Sequence, residues 1–264
     1  MAAPALSDAV SGASWYHTIE LPDGTVTPGE YDLRPALQRL PFPADLSGKR
    51  CLDVGTRDGF WAFAMEQRGA AAVVAIDLDD EADLDFPEPR PPVGEEVMAE
   101  LRARRRAFGV AHEALGSRVE RRNLSVHDLD PAEVGEFDFV FLGTLLLHLR
   151  DPIGALMAVR RVLRGQLLLN EPVRLAPGAP AATLMGFPGV PFWWLPNRAA
   201  LARYVQRAGY EVEAMGRPYF VAPGAAAMPY ERDLRRPLDT ARAAVAGRWG
   251  MVHTWLTARP VGAR

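Results

Sequence analysis

The sequence predicts an α/β fold: a doubly wound, mostly parallel sheet with helices on both faces and an antiparallel last strand. Three observations carry that expectation. Short apolar runs recur at helix-length intervals, at residues 50–54 (RCLDV), 72–77 (AVVAID), 137–142 (FDFVFL) and 165–169 (GQLLL). Strands buried on both faces of a parallel sheet read this way. A glycine turn from Gly55 to Gly59 joins the first run to a helical pattern, and Asp77 closes the second run, so strands and helices alternate as a layered sheet requires.

Residues 1–47 precede the first strand and read as an extension. Their start, MAAPALSDAVSGAS, has neither the basic residues nor the apolar stretch of a signal peptide. The following WYHTIELPDGTVTPGEYDLRP concentrates Trp15, Tyr16, His17 and Tyr31 before the sheet begins, and is expected to fold over the site as a lid. After the glycine turn, Phe60 to Arg68 is helical and stops at Gly69. The segment Asp77 to Glu96 is acidic, proline-rich and aperiodic, which makes it an exposed loop.

Val97, Leu101, Phe108, Ala111 and Leu115 then share one helical face that Arg104 interrupts. Arg102, Arg104, Arg105 and Arg106 read as a solvated helix surface, because no aromatic residues interleave with them as a nucleic-acid platform would need. Asp151-Pro152 supplies an N-cap and a first-turn proline for a helix carrying Ile153, Leu156, Val159 and Leu163. Pro172 to Pro196 is loop-like and holds Phe187, Phe192, Trp193 and Trp194. A helix over 197–208 buries Leu201, Tyr204, Val205 and Ala208 and ends at Gly209, a strand covers 211–215, a helical insertion covers about 229–247, and MVHTWLTAR is the last strand.

Composition limits the functions open to this fold. The chain has 264 residues, 48% hydrophobic, enough for one α/β domain with decorated ends. A formal charge of −3 gives no global attraction to nucleic acid or to an anionic membrane, which leaves a small-molecule partner as the expectation. Cys51 is the only cysteine, so an intrachain disulfide and a Cys/His zinc site are both excluded, and a cytoplasmic protein is expected. No apolar run approaches the roughly 20 residues of a membrane-spanning helix.

The stretch CLDVGTRDGFWAFAMEQRGAAAVVAIDLDD has the order strand, glycine turn, helix, strand, acidic end. Gly55 and Gly59 let the chain turn tightly and let a ligand approach the backbone, and the helix from Phe60 offers unpaired N–H groups. Asp77 is placed to accept the hydroxyls of a ribose. The turn Gly55-Thr56-Arg57-Asp58-Gly59 lacks the G-x-G-x-x-G spacing of a pyrophosphate site. Asp53 and Asp58 put negative charge where a pyrophosphate would lie, and would instead suit the ammonium and sulfonium of S-adenosylmethionine.

Over roughly residues 48–215 the chain resembles the class I, Rossmann-like S-adenosylmethionine-dependent methyltransferases. FDFVFLGTLLLHLRDPIGALMAVRRVLRGQLLLNEPV is similar to that superfamily's unit of strand, loop, His, Asp-Pro and helix. Within the superfamily it resembles the tRNA wobble-uridine carboxymethyltransferases and actinobacterial small-molecule methyltransferases. The resemblance implies a seven-stranded sheet and a domain spanning 48–264. It implies that Asp53, Gly55, Thr56 and Gly59 surround the methionine part of the cofactor, and that Asp77 and Leu78 hold the ribose. Ser125, Val126 and His127 would border the adenine, with Leu142 and Gly143 beneath the transferred methyl. Arg57 stands where the family usually has glycine, and Ser125 where it often has an acid. Leu147 precedes His148 where the carboxymethyl enzymes carry an aromatic hydroxyl, which favours ordinary S-adenosylmethionine.

Methyl transfer from a sulfonium needs alignment and exclusion of water more than it needs a base. Where a base is used, the candidates are His148, His17 and Glu171. Trp15, Tyr16, Tyr31, Trp193 and Trp194 are candidate walls of an acceptor pocket. Methyl transfer to a small molecule such as a secondary metabolite is therefore expected. A tRNA-modifying enzyme, a non-catalytic cofactor-binding subunit and a nicotinamide dehydrogenase are the competing readings.

Overall fold

A computed structural model describes residues 6–80, 83–85, 87, 95–185, 192–221, 223–227 and 251–262. The helical insertion expected over 229–247 and Phe187 lie outside the described residues. So do Glu81, Glu88 and most of the proline-rich run that follows.

The expected α/β architecture is present. Strands β1 (Arg50–Val54), β2 (Ala72–Asp77), β3 (Glu120–Asn123), β4 (Phe137–Gly143) and β5 (Leu163–Pro172) pair in parallel in the order β3-β2-β1-β4-β5. β10 (Met251–Pro260) lies antiparallel against β5 on one side. On its other side β10 pairs with β8 (Tyr210–Met215) and then with β9 (Tyr219–Val221). β8 and β9 face successive stretches of the same strand, so together they fill one position. The eight strands of the sheet thus occupy the seven places expected.

Alternation along the strands builds two cores. Cys51, Val73, Ala75, Phe139, Phe141 and Leu168 point to one face, and Leu52, Val54, Val74, Ile76, Val140 and Leu142 to the other. The first face is covered by α1 (Leu6–Ser11), α3 (Phe60–Gln67) and α4 (Glu95–Leu115), with α2 (Ala36–Arg39) packed beside them. Trp61 stacks on Phe141 there, with ring centroids 4.1 Å apart. The second face is covered by α6 (Pro152–Val162) and α7 (Arg198–Arg207), with the short α5 (Pro131–Val134) packed at the edge of α6.

Both helices on this face are capped, α6 at Asp151 as predicted and α7 at Asn197, which was expected inside the helix. Asp151 accepts the Gly154 N–H at 2.8 Å to start α6, and Asn197 accepts the Ala200 N–H at 2.8 Å to start α7; each such cap stabilises its helix by about 1 kcal/mol. Gly69 and Gly209 take φ of 82° and 90° just past their helices.

The segment Pro172 to Pro196, expected to be a loop, contains a hairpin of β6 (Ala182–Leu184) and β7 (Trp194–Pro196). α4 starts at Glu95, two residues inside the expected loop, and β5 is longer than the five residues anticipated. Arg102, Arg105 and Arg106 are exposed on α4, as a solvated surface should be. Among the described residues no helix is long and apolar enough to cross a membrane, and no cluster of three or more His, Cys, Asp or Glu side chains is arranged to hold a metal.

Candidate functional site

β1 delivers Asp53 to the carboxyl edge of the sheet, where the chain turns through three left-handed residues: Gly55 (φ 77°), Arg57 (φ 53°) and Gly59 (φ 92°). Glycine adopts this region at no cost, whereas a side chain there is disfavoured by roughly 1–2 kcal/mol. The neighbouring strand imposes the conformation. Asp77 at the end of β2 accepts the Arg57 N–H on Oδ2 at 2.6 Å and the Leu78 N–H on Oδ1 at 2.8 Å. Gly59 is required twice over, because a Cβ there would collide with the Phe63 ring.

Asp53 is 1% exposed and accepts the Thr56 hydroxyl at 2.7 Å. Burial pushes its carboxyl up to about 7, and the Thr56 bond and the charge of His17 pull it back down. Around neutral pH it is therefore only partly ionised.

An open cleft lies over this turn, with Tyr16, Glu30, Arg57, Asp58, Asp77 and Leu78 in its lining. Asp79 and Asp80 extend the acidic side, and Arg105 and Arg121 stand on the α4 and β3 side. Arg121 is paired with Asp79 at 2.8 Å.

Asp58 is spoken for by the N-terminal segment. Its Oδ2 accepts the backbone N–H groups of Tyr16 and His17 at 2.8 and 2.7 Å, and its Oδ1 bonds the His17 Nδ1. Asp58, expected from the sequence to suit an ammonium or sulfonium, is 2% exposed, with its carboxylate turned toward the lid. His17, a candidate base from the sequence, is 4% exposed, held by Asp58 and stacked on Phe60 at 5.4 Å. Trp15, a candidate pocket wall from the sequence, is 2% exposed and packs in the first core with its indole N–H on the Val10 carbonyl. Tyr16 and Tyr31 lie together, both half-buried, with their rings 5.0 Å apart. Tyr31 also forms a bridge to Pro223, and the Gly224 N–H reaches the Glu30 carbonyl. The segment therefore runs from the turn after β1 to the far end of the sheet.

The edge beyond β4 and β5 holds a second polar group. Glu171 is 1% exposed, and its Oε1 accepts the Leu145 and Leu146 N–H groups at 2.9 and 3.2 Å. Burial pushes its carboxyl up to about 8, against the downward pull of these backbone bonds. Its bonds hold the loop after β4, and it is not part of the lining of the cleft over the β1 turn. Leu145 in that loop would be met at 3.4 Å by a Cβ on Gly55, so the loop and the turn touch.

Thr144, left-handed at φ 54°, bonds His253 Nε2 at 3.2 Å, and the Tyr219 hydroxyl donates to Asn170 Oδ1 at 2.7 Å. Sequence reasoning missed these four residues. Only register unites them: Asn170 lies beside Gly143, and His253 beside Tyr219.

His148 is half-buried 5.1 Å from the Phe192 ring. Trp193 and Trp194 are both half-buried, with indole N–H groups on the carbonyls of Asp85 and Arg150. Leu142 is fully buried in the second core, so it supports the site from below. Gly143 has no room for a Cβ, which would fall 2.7 Å from the Phe141 ring. Ser125 caps a short turn by accepting the His127 N–H at 3.3 Å, and Val126 is buried against the second core.

Residues 28–215 match the family model described as a methyltransferase domain. The chain belongs to this family. It is 30% identical over 183 residues to a tRNA U34 carboxymethyltransferase of Ectopseudomonas mendocina, covering 66% of this chain and 48% of that protein. It is 30% identical over 129 residues to a ubiquinone biosynthesis O-methyltransferase of Pseudomonas aeruginosa, covering 48% of this chain and 46% of the relative. The methyltransferase domain thus spans about half the length of the curated relatives it matches. Among solved structures it resembles the [4+2]-cyclase SpnF, with a TM-score of 0.51 and 20% identity over 97% of this chain and 93% of that one. It also resembles a Burkholderia thailandensis 1,6-didemethyltoxoflavin-N1-methyltransferase, with a TM-score of 0.50 and 17% identity over 86% of this chain and 77% of that one. These likenesses establish a shared fold.

Proposed function

We propose that this methyltransferase domain binds S-adenosylmethionine in the cleft over the β1 turn and transfers its methyl to a small-molecule acceptor. The single observation that carries the reading is the Asp77 carboxylate, held at the mouth of that cleft by two backbone N–H groups. A carboxylate oxygen accepts more than one hydrogen bond, so Asp77 keeps acceptor capacity for a ribose. The acidic turn has no place for a pyrophosphate, which disfavours a nicotinamide dinucleotide.

In this reading Asp77 and Leu78 hold the ribose, and Ser125, Val126 and His127 border the adenine. Asp53, Gly55, Thr56 and Gly59 surround the methionine part, and Gly143 closes the floor. When bound, the sulfonium supplies an already activated methyl group. The chain's own residues align the acceptor and exclude water. Glu171 fixes the loop that touches the turn. Thr144 and Tyr219, each anchored by a buried partner, offer hydroxyls to the acceptor, with His148 as a candidate base nearby. Trp193 and Trp194 brace the loop carrying His148, and residues 1–47 serve as a lid over the domain spanning 48–264.

Ordinary methyl transfer is favoured over carboxymethyl transfer because Leu147, the residue before His148, is an apolar side chain only 2% exposed. The net charge of −3 favours a small acceptor over tRNA. The test is calorimetric binding of S-adenosylmethionine, S-adenosylhomocysteine and NAD to wild type and Asp77→Ala. The expected result is that both sulfur nucleosides bind wild type, NAD does not, and Asp77→Ala loses about ten-fold or more in affinity, equivalent to ~1.4 kcal/mol. Equal affinity in the variant, or no binding to wild type, overturns the reading; tight binding of tRNA at physiological salt overturns the small-molecule acceptor.

A further inference from the structure

The cleft contains a cation that the fold does not require. Arg57 occupies a left-handed position, φ 53°, that glycine fills without strain. Its backbone is held there by Asp77, whichever side chain it carries. A residue kept in a disfavoured conformation at a ligand site points to a use for its side chain.

That side chain is not consumed by the protein. Among the described residues no carboxylate lies within ion-pair distance of the Arg57 guanidinium, which rests 5.2 Å over the Tyr16 ring. Arg121 differs, since it is neutralised by Asp79.

We infer that Arg57 reads the α-carboxylate at the amino-acid end of the donor and, through Tyr16, ties donor binding to the N-terminal segment. The inference rests on the cleft being an S-adenosylmethionine site. Glu30, Asp77, Asp79 and Asp80 line the same cleft. They welcome an ammonium and repel a carboxylate, so a zwitterionic amino acid needs a cation set among them. A guanidinium is the group best suited, because its fork grips a carboxylate with two parallel hydrogen bonds.

The position agrees with the chemistry. β3 and β2 lie to one side of β1, and Asp77 ends β2. With the ribose on Asp77 and the adenine toward the loop after β3, the amino-acid end lies over the β1 turn, where Arg57 projects. The Tyr16 ring supports the guanidinium from the lid, and the Tyr16 N–H is fixed to Asp58 at 2.8 Å. Arg57 therefore couples the donor to a segment pinned by the very next residue of the turn.

Calorimetry with two probes separates this role from a structural one. S-adenosylhomocysteine carries the carboxylate, and decarboxylated S-adenosylhomocysteine keeps the ammonium but lacks it. Arg57→Gln is expected to lower affinity for the first by about ten-fold, equivalent to 1.4 kcal/mol, and to leave the second within two-fold. Arg57→Gly, which suits the left-handed backbone, guards against a folding defect and should discriminate in the same way. Equal loss for both probes, or no loss for either, overturns the assignment. Wild type that binds both probes equally overturns Arg57 alone, whereas wild type that binds neither overturns the donor reading together with it.

Discussion

Asp58 bonds His17 twice, taking its backbone N–H at 2.7 Å on one carboxylate oxygen and its imidazole on the other. Forty-one residues separate the two in sequence. The turn after β1 thus has an outward side that lines the cleft and an inward side that anchors the N-terminal segment.

Removing that anchor should be costly. Asp58→Ala strands two backbone N–H groups and a buried imidazole, and truncating one member of a buried pair costs about 3 kcal/mol or more. Urea unfolding should report a loss of that order, and amide exchange should accelerate across residues 15–31. Unchanged stability would mean that the segment is not pinned by this carboxylate.

Stability should fall as pH rises through neutrality. The Glu171 carboxyl is raised from 4.5 to about 8 and the Asp53 carboxyl from 3.8 to about 7. Over those intervals the folded state keeps protons that the unfolded state has lost. Their stabilisation is complete below the unfolded values and is lost as pH climbs through the folded ones, with a slope of at most about 1.4 kcal/mol per pH unit for each group. Glu171→Gln keeps an oxygen for Leu145 and Leu146 but does not titrate. Its unfolding free energy should show a flatter decline than wild type between pH 4.5 and 8, and an identical slope would exclude Glu171 as the source.

Arg57→Gly should leave stability nearly unchanged. Relief of the left-handed backbone contributes about 1 kcal/mol. Loss of the contact with Tyr16 costs about 0.5–1 kcal/mol, and the added freedom of the unfolded chain costs a similar amount. Thermal melting should place the net effect within about 1 kcal/mol of zero, so any weakened donor binding is not a consequence of unfolding.

Two glycine substitutions should have opposite signs. Gly109 lies in α4, and a methyl group added there would meet nothing within 4 Å, so Gly109→Ala should stabilise by about 0.5–1 kcal/mol. At Gly143 the added carbon meets the Phe141 ring, which is fully buried and stacked on Trp61. Gly143→Ala should destabilise by about 1–3 kcal/mol. Chemical denaturation of both variants checks the pair.

Four of the five parallel strands and the start of α6 were legible because burial on both faces writes continuous apolar runs and because Asp151 caps through its own side chain just before a first-turn proline. β3 was not legible as a strand. It sits at the sheet edge with the sequence ERRN and only half-buried central residues, so it carries no apolar signature. In the site, Asp53 and Asp77 were visible from strand ends, but the direction of a carboxylate is set by tertiary partners. Asp58 read as a cofactor ligand because the sequence does not show that Tyr16 and His17 supply it with three hydrogen-bond partners. Arg57 did leave a signal, as a bulky residue where a glycine turn was expected. Thr144, Asn170, Tyr219 and His253 left none, because only the register of β5, β9 and β10 brings them together.

β10 enters the sheet between β5 and β8, although both precede it in the chain. Until it inserts, each of those strands presents an unpaired edge flanked by apolar side chains, separated by a gap one strand wide. The donor half, β1 to β4 with its turn, needs nothing from β10 to form its own ladder. Assembly therefore has a natural order in which the β1–β4 turn region forms first and the end built from β5, β10 and β8 is zipped shut last, by pairings distant in sequence and correspondingly slow. Substitutions that weaken the insertion, at Leu256 or Ala258 for instance, would lengthen the life of two sticky edges at once and send the chain toward aggregation before they impaired the turn region.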